Sequence, residues 1–198
     1  ICDTGGGSTE LILVRKGQIS GRISLPFGAM SLTDQFLRKG DPAENAARVK
    51  AALAKAWDGV PFLKEAAGLS LIGLGGSAVA LPAIDRILFK NKTAAFSPHG
   101  YMIEKSHMDV IVRALLARTP EKRMQELGVE QGRADTITGG VLPGYTLMEW
   151  FSLPQTVACT TGLREGILKV LQKEGTATAF SDLPAFLNKY ETVAANTL

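Results

Sequence analysis

A glycine-rich segment with an acidic residue at each end constrains the fold of this chain more than any other feature. Residues 3–10 read DTGGGSTE, and an apolar, largely branched run follows at 11–14. Consecutive glycines let the backbone turn sharply and bring its N–H groups close to an anion. The run at 11–14 is typical of a strand, and no Gly-Lys-Ser/Thr follows the glycines, so the segment is not a P-loop. The pattern predicts a phosphate-binding turn between two strands.

The residue types in this segment suit the chemistry of a phosphoanhydride. Asp3, at the end of the first strand, is a candidate ligand for Mg²⁺, directly or through water. Glu10 is the candidate catalytic group, because a carboxylate there could orient or deprotonate an attacking water. A plain hairpin with a flexible glycine tip is the alternative, and the two flanking acids weigh against it. The predicted phosphate-binding residues are Gly5, Gly6, Gly7, Ser8 and Thr9.

A second glycine turn follows a short apolar strand predicted at 69–74. Gly75, Gly76 and Ser77 lead from this strand into a helix that runs to Leu88. A helix N-terminus offers unpaired N–H groups and the positive end of the helix dipole. The turn is therefore a second candidate anion site, although glycines at such a junction also serve close packing of a helix on a sheet.

The rest of the chain predicts an α/β fold. Strands at 11–14 and 19–25, joined by a turn at Lys16-Gly17, predict an antiparallel meander, and a later strand is predicted at 155–159. Strands followed mainly by helices indicate a mixed sheet with helices packed on it. Trp57 and Trp150 are predicted to lie in the core. Helices are predicted at 29–38, from Asp41-Pro42, from a capping box at Ser106 and Asp109, after Thr119-Pro120, at 133–151 with a weakening or kink at Gly139, Gly140, Pro143 and Gly144, and at 162–173 with Leu163, Ile167, Val170 and Leu171 inward.

Composition narrows the class of protein. The 198 residues are 45% hydrophobic and 21% charged, which suits a packed core, and the net charge of +3 is compatible with a polyanionic substrate. The sequence contains no block of Lys and Arg residues of the kind that would indicate specific nucleic-acid binding. Its longest apolar stretches fall well short of the roughly 20 residues that a membrane span needs. Cys2 and Cys159 form no C-x-x-C pair, and His99 and His107 lack metal-ligand spacing. These features argue against zinc and favour a reducing, cytoplasmic setting.

Four segments together resemble the exopolyphosphatase/guanosine pentaphosphate phosphatase family. They are residues 3–10, residues 24–29 (SLPFGA), residues 73–78 (GLGGSA), and the pair formed by 133–135 (RAD) with 162–166 (GLREG). The resemblance implies an actin-like ATPase (ribonuclease H-like) lobe of the acetate and sugar kinase, heat-shock chaperone and actin superfamily. Residues 1–174 would be the second of two lobes, and 175–198 a loosely docked C-terminal tail. The first lobe, absent from this chain, would supply another phosphate loop and a further catalytic glutamate.

The resemblance also implies an activity. The family removes a terminal phosphate from polyphosphate or from guanosine pentaphosphate with Mg²⁺. By this likeness Asp3 would serve the metal, the residues from Gly5 to Ser8 the phosphate, Glu10 the water or metal, and the turn at Gly75 and Gly76 the nucleoside side. The implied partners are the substrate and the missing lobe, with a homodimer left open.

Some positions depart from the family pattern and leave roles open. Ser31 stands where many members carry Arg, and Asp34 where they often carry Glu, so substrate preference stays open. Arg133 has no assigned role. Arg164 and Glu165 are expected to cap a helix or form a solvated contact rather than line the cleft.

Two other functions remain open at this point. The first is an ATP-dependent kinase or another ATPase of the same superfamily, against which segments 24–28 and 162–166 argue. The second is a module that binds polyphosphate or guanosine tetraphosphate without turning it over. If the chain is one lobe of a hydrolase, the 198 residues alone are expected to be nearly inactive, because half of the cleft is missing.

Overall fold

A computed structural model describes residues 1–90 and 96–174 of the chain. The chain divides into two units, residues 1–160 and 161–198. The first unit holds a six-stranded sheet in the order β3-β2-β1-β4-β6-β5. The strands are β1 (Cys2–Thr4), β2 (Thr9–Arg15), β3 (Gln18–Leu25), β4 (Leu71–Leu74), β5 (Met102–Glu104) and β6 (Gln155–Ala158).

The helices of the first unit follow and separate these strands. A π-helical turn at Thr33–Leu37 extends α1, and short 3₁₀ turns occur at Pro61–Ala66 and Gln131–Arg133. In the second unit the described part is one helix, α7 (Leu163–Glu174), and the tail predicted at 175–198 lies outside the described residues. The α-helices of the first unit are α1 (Ala29–Leu32), α2 (Pro42–Asp58), α3 (Gly75–Leu88), α4 (Lys105–Leu116), α5 (Pro120–Leu127) and α6 (Ile137–Trp150).

The predicted meander and mixed sheet are confirmed. β1 pairs antiparallel with β2, and β2 pairs antiparallel with β3. β4 lies parallel to β1, β6 lies parallel to β4, and β5 closes the sheet antiparallel to β6. Because β1 and β4 are parallel neighbours, the turns that follow them emerge at the same edge of the sheet.

The two faces of the sheet differ in burial. Cys2, Leu11 and Leu71 point to the face on which the helices pack and are 6% exposed or less. Asp3 and Glu10 alternate with these residues and point to the opposite face, where they are partly exposed. The strand alternation thus places both acidic side chains of the glycine-rich segment on the open face.

Helix α6 continues through its glycines and Pro143, so the residues predicted to weaken or kink it do not end it. A Cβ added to Gly139 would lie 2.5 Å from the carbonyl oxygen of Ala29, and one added to Gly140 would collide with Ser77. The glycines therefore let α1 and α3 approach α6 closely. The start of α1 donates hydrogen bonds to the bend at Gly5 and Gly6, and α3 begins at the second glycine turn, so this packing brings the two predicted phosphate-binding segments together.

Local signals predicted the start of α2 correctly and that of α4 incorrectly. Asp41 caps α2 by accepting hydrogen bonds from the amides of Ala43 and Glu44, both at 2.9 Å. The predicted box at Ser106 and Asp109 is wrong, because α4 begins at Lys105 with Glu104 as its N-cap, so Ser106 lies inside the helix. Asp109 instead accepts hydrogen bonds from Lys105 and from the hydroxyl of Tyr145.

The predicted burial of large apolar side chains is confirmed at some positions and wrong at others. Trp57 is 1% exposed, as predicted, whereas Trp150, at the end of α6, is 51% exposed. The predicted inward face of α7 is wrong for Leu163 and Ile167, which are exposed. Among the described residues, no helix has both the length and the apolar character that crossing a bilayer requires.

Candidate phosphate and metal site

The triglycine bend is fastened through its carbonyl groups. The amides of Ala29 and Met30, at the start of α1, donate to the carbonyl oxygens of Gly5 and Gly6, both at 2.8 Å. Gly28 packs directly on the bend, since a Cβ there would lie 2.5 Å from backbone atoms of Gly6 and Gly7. The role of the SLPFGA segment is therefore structural, because Gly28 and the start of α1 stabilise the conformation of the bend.

The amide groups of the bend are left available. The Gly5 amide closes the turn by donating to the carbonyl oxygen of Ser8 at 2.9 Å. The amides of Gly6, Gly7 and Ser8 donate to no acceptor within the described part of the chain, and Gly6 and Gly7 are exposed. A run of such amides forms an anion-binding concavity.

Asp3 and Glu10 lie directly opposite one another on β1 and β2, so their side chains share one face of the sheet. Ser8 and Ser24 both donate hydrogen bonds to Oε1 of Glu10, at 2.8 and 2.6 Å. Burial, and then the negative charge of Glu10, raise the pKa of Asp3 above its usual value. The arrangement is a pair of neighbouring carboxylates whose repulsion a bound cation would relieve.

The second glycine turn touches the end of β1. Gly75 has a φ of 85°, a left-handed conformation that favours glycine. A Cβ at this position would lie 2.6 Å from the carbonyl oxygen of Thr4 and 3.2 Å from Oδ1 of Asp3. The Asp3 carboxylate therefore lies beside both glycine turns.

Arg133 joins the second turn from a distant part of the chain. Its guanidinium donates to the carbonyl oxygen of Gly76 and pairs with Glu130 at 2.8 Å. The side chain is 32% exposed, so the cation is held in place and still reaches solvent. The sequence places Arg133 in a family motif without a role, and only the fold reveals its position against Gly76.

These elements enclose an open cleft of about 360 Å³. The cleft brings together the first turn, the second turn and the Arg133 segment, which are far apart in sequence. Asp3 and Glu10 lie on the adjoining sheet face and do not form part of its wall. The lining residues are Thr4, Gly5, Gly6, Ala29, Met30, Gly76, Ser77, Glu130, Gly132, Arg133 and Thr136.

Several residues singled out by sequence serve the scaffold instead. Thr9 is 1% exposed and its hydroxyl donates to the carbonyl oxygen of Phe27, so this hydroxyl faces the core and not the open side of the bend. Ser31 accepts a hydrogen bond from the Gly28 amide at 2.8 Å and so braces the start of α1. Glu165 accepts from the Gly162 amide at 2.7 Å, which confirms the expected capping contact.

The side chains of this site suit a hard divalent cation that takes some of its ligands from the protein and the others from water and a substrate. Among the described residues, no three or more His, Cys, Asp or Glu side chains cluster as metal ligands. Asp3 and Glu10 provide carboxylate oxygens alone, and Mg²⁺ is commonly held by one or two carboxylates together with water and substrate phosphates. The pair therefore fits Mg²⁺, which would complete its coordination from outside the protein.

Comparison with known proteins agrees with the family resemblance of the sequence. Exopolyphosphatase 1 of Mycobacterium tuberculosis is 29% identical over 182 residues, which cover 89% of this chain and 52% of that protein. A crystal structure of the Ppx/GppA family member from Aquifex aeolicus superposes with a TM-score of 0.71 at 27% identity, covering 88% of this chain and 56% of that one.

A third relative supports the fold alone. An exopolyphosphatase from Cytophaga hutchinsonii superposes with a TM-score of 0.73 at 23% identity, over 87% of this chain and 56% of its own. The chain thus spans about half the length of the curated relatives it matches. The sequence profile of the Ppx/GppA phosphatase family matches residues 1–174, and the chain therefore belongs to that family.

Proposed function

We propose that this chain supplies the phosphate-binding and metal-binding half of a cleft that hydrolyses terminal phosphoanhydride bonds of polyphosphate or guanosine pentaphosphate. A further lobe of the same protein completes the cleft, in keeping with relatives that are about twice as long. One observation carries the proposal: Asp3 and Glu10 stand side by side next to a bend whose amides are open to an anion.

The chain's own groups divide the binding of the substrate between two turns. The free amides of Gly6, Gly7 and Ser8 donate to oxygens of the terminal phosphate, and Arg133 offers a charged donor from the opposite turn. Neutralising charge on these oxygens is the main requirement of phosphoryl transfer. Mg²⁺, held by Asp3 and Glu10, would add positive charge at the same phosphate.

Glu10 is oriented for a second task. Both serine hydroxyls that contact it donate to Oε1, and Oε2 accepts no hydrogen bond within the described part of the chain. One oxygen therefore fixes the side chain while the other is free to orient a water or ligate the cation. Ser8 belongs to the bend itself, so the position of Glu10 is linked to that of the bound phosphate.

The test is phosphate release from polyphosphate, and separately from guanosine pentaphosphate, by the full-length protein that contains this chain. Glu10→Gln is expected to lower kcat by about 10²–10⁴-fold, the usual contribution of a general base or water-orienting group. Glu65→Gln is the matched control, because Glu65 is an exposed glutamate paired with Arg15 away from the cleft.

Each outcome decides between the candidate functions. Equal kcat values for Glu10→Gln and the control would contradict the catalytic role of Glu10. Tight polyphosphate binding with no release by the unmodified protein would favour a binding module. Phosphate transfer from ATP to a second substrate, without polyphosphate hydrolysis, would favour a kinase.

A further inference from the structure

A second cavity, of about 350 Å³, shares no lining residue with the cleft. We call it the arginine cavity. It is bounded by the π-helical turn after α1, the start of α2, the connection from α4 to α5, and the start of α6. Three arginines line it against one aspartate: Arg38, Arg118 and Arg123 against Asp135.

The three cations differ in how their charge is balanced. Arg38 pairs with Asp34 and Asp135, and Arg118 pairs with Glu126 at 2.8 Å. Arg123 instead donates to two main-chain carbonyls, those of Leu115 and Ala134, both at 2.9 Å. No carboxylate lies within ion-pairing distance of Arg123 in the described part of the chain.

The consequence is a desolvated cation with no directly bonded counter-charge. Burial lowers the pKa of Arg123, and the negative charges of Asp135 and Glu121, which lie beyond ion-pairing distance, only partly offset this cost of burial. An anion in the cavity would offset this cost, since a charged acceptor is a stronger hydrogen-bond partner than a neutral carbonyl.

The start of α6 forms another part of the wall and is unusually bare of hydrogen-bond partners. Its first residues are buried, no side chain caps it, and its first turn contains no acidic residue. The amides of Ile137 and Thr138 donate to no acceptor within the described residues. A buried helix N-terminus normally finds a cap, a water or a ligand for these groups.

Thr138 adds an independent observation. It lines the cavity, it is 3% exposed, and its buried hydroxyl oxygen has no hydrogen-bond partner among the described residues. Buried polar atoms are satisfied in the great majority of cases, so an orphaned hydroxyl next to orphaned amides marks a place where the chain leaves hydrogen-bonding groups unused.

We propose that the arginine cavity binds a small phosphate-bearing anion, held by the Arg123 guanidinium, the α6 N-terminus and the Thr138 hydroxyl. Its volume falls within the range of about 300–1,000 Å³ that ligand pockets occupy, so it admits more than a lone phosphate. The site is separate from the cleft. Arg133 and Thr136 line the cleft, whereas Asp135 and Thr138 line the cavity.

The test uses inorganic phosphate as the probe, titrated into the ¹⁵N-labelled 198-residue chain at constant ionic strength. The amide signals of Thr119 and Thr138 are expected to shift and to saturate. Arg123→Gln should weaken this response about tenfold, because it removes a charged donor. Arg113→Gln, an exposed arginine on α4 that does not line the cavity, is the matched control and should leave the response unchanged.

A second variant covers the case in which Arg123→Gln fails to fold, since Arg123 also braces two carbonyls. Thr138→Val keeps the shape of the side chain and replaces the hydroxyl by a methyl group, and it should weaken the phosphate response several-fold. An unmoved Thr138 signal at saturating phosphate, or equal affinities in Thr138→Val and Arg113→Gln, would overturn the proposal. If only signals of the triglycine bend shift, phosphate binds the cleft alone, and the proposed function stands while the cavity site does not.

Discussion

The two glycine turns lie at the same edge of the sheet and share the Asp3 carboxylate, but they differ in the other charged group beside them. The bend at Gly5–Ser8 lies beside the carboxylates of Asp3 and Glu10. The turn that begins at Gly75 lies under the guanidinium of Arg133. The first turn is suited to a phosphate that binds together with a metal cation, whereas at the second turn a side chain of the protein, Arg133, provides positive charge.

The turns also differ in what holds them. The amides at the start of α1 hold the carbonyl groups of the bend, so the amides of the bend are left available. Gly28 packs directly against the backbone of the bend. The second turn is fixed by its left-handed Gly75 and by Arg133, which lies 57 residues beyond the carbonyl it contacts. The comparison teaches that the function of a glycine turn depends on distant neighbours that its own residues do not specify.

The first prediction breaks the support behind the bend. Gly28→Ala places a methyl group against the backbone of Gly6 and Gly7, and should lower the free energy of unfolding by about 3 kcal/mol. Gly7→Ala is the control in the same bend, because a Cβ there has no neighbour within 4 Å. Urea unfolding of both variants measures the difference, and equal losses would mean that the bend is not held by Gly28.

The second prediction breaks the second turn. Gly75→Ala forces alanine into a left-handed conformation next to the carbonyl of Thr4, and should cost about 2 kcal/mol. Gly132→Ala, at a position on the cleft wall with open space around it, should be close to neutral. If thermal and urea unfolding rank these two variants equally, the geometry assigned to Gly75 is wrong.

The third prediction sharpens the contrast in charge. Arg133→Gln should lower the affinity of the cleft for inorganic phosphate about tenfold, equivalent to about 1.4 kcal/mol, because a charged donor is lost. The amide signals of Gly6 and Gly76 report this binding, and Arg113→Gln serves as the control. An unchanged affinity in Arg133→Gln would assign the anion to the first turn alone.

The fourth and smallest effect concerns pH. The pKa of Asp3 is raised in the folded chain, so the folded state favours the protonated acid, and stability is lost as the pH rises through that raised pKa. Asp3→Asn should therefore unfold at a slightly higher temperature than the unmodified chain at pH 7. The difference should vanish below 3.8, the usual value for this side chain. A variant less stable at pH 7 would contradict this sign.

Local patterns predicted the elements that depend on local physics. The meander follows from branched runs separated by turns, and α2 follows from Asp41 and Pro42, because caps and turns act within a few residues. The box at Ser106 failed because Asp109 finds stronger partners in Lys105 and Tyr145. The contact that the glycines of α6 allow with α1 and α3 was not predicted, because tertiary packing sets it.

The sequence indicated some parts of the candidate site and not others. The glycines and flanking acids of residues 3–10 indicate phosphate and metal from their chemistry alone, and the antiparallel register then sets Asp3 opposite Glu10. The sequence could not show that Thr9 faces the core, because residues 11–14 are all apolar and do not indicate which face of β2 is buried. Nor could it place Arg133 or the arginine cavity, which depend on contacts between distant segments.

The most direct test of the central claim is calorimetric binding of tripolyphosphate to the 198-residue chain in the presence and absence of Mg²⁺. If Asp3 and Glu10 hold a cation beside the phosphate bend, Mg²⁺ should strengthen binding, and Asp3→Asn or Glu10→Gln should remove that gain while Glu65→Gln retains it. Tripolyphosphate affinity that responds equally to Mg²⁺ in all four proteins would contradict the account.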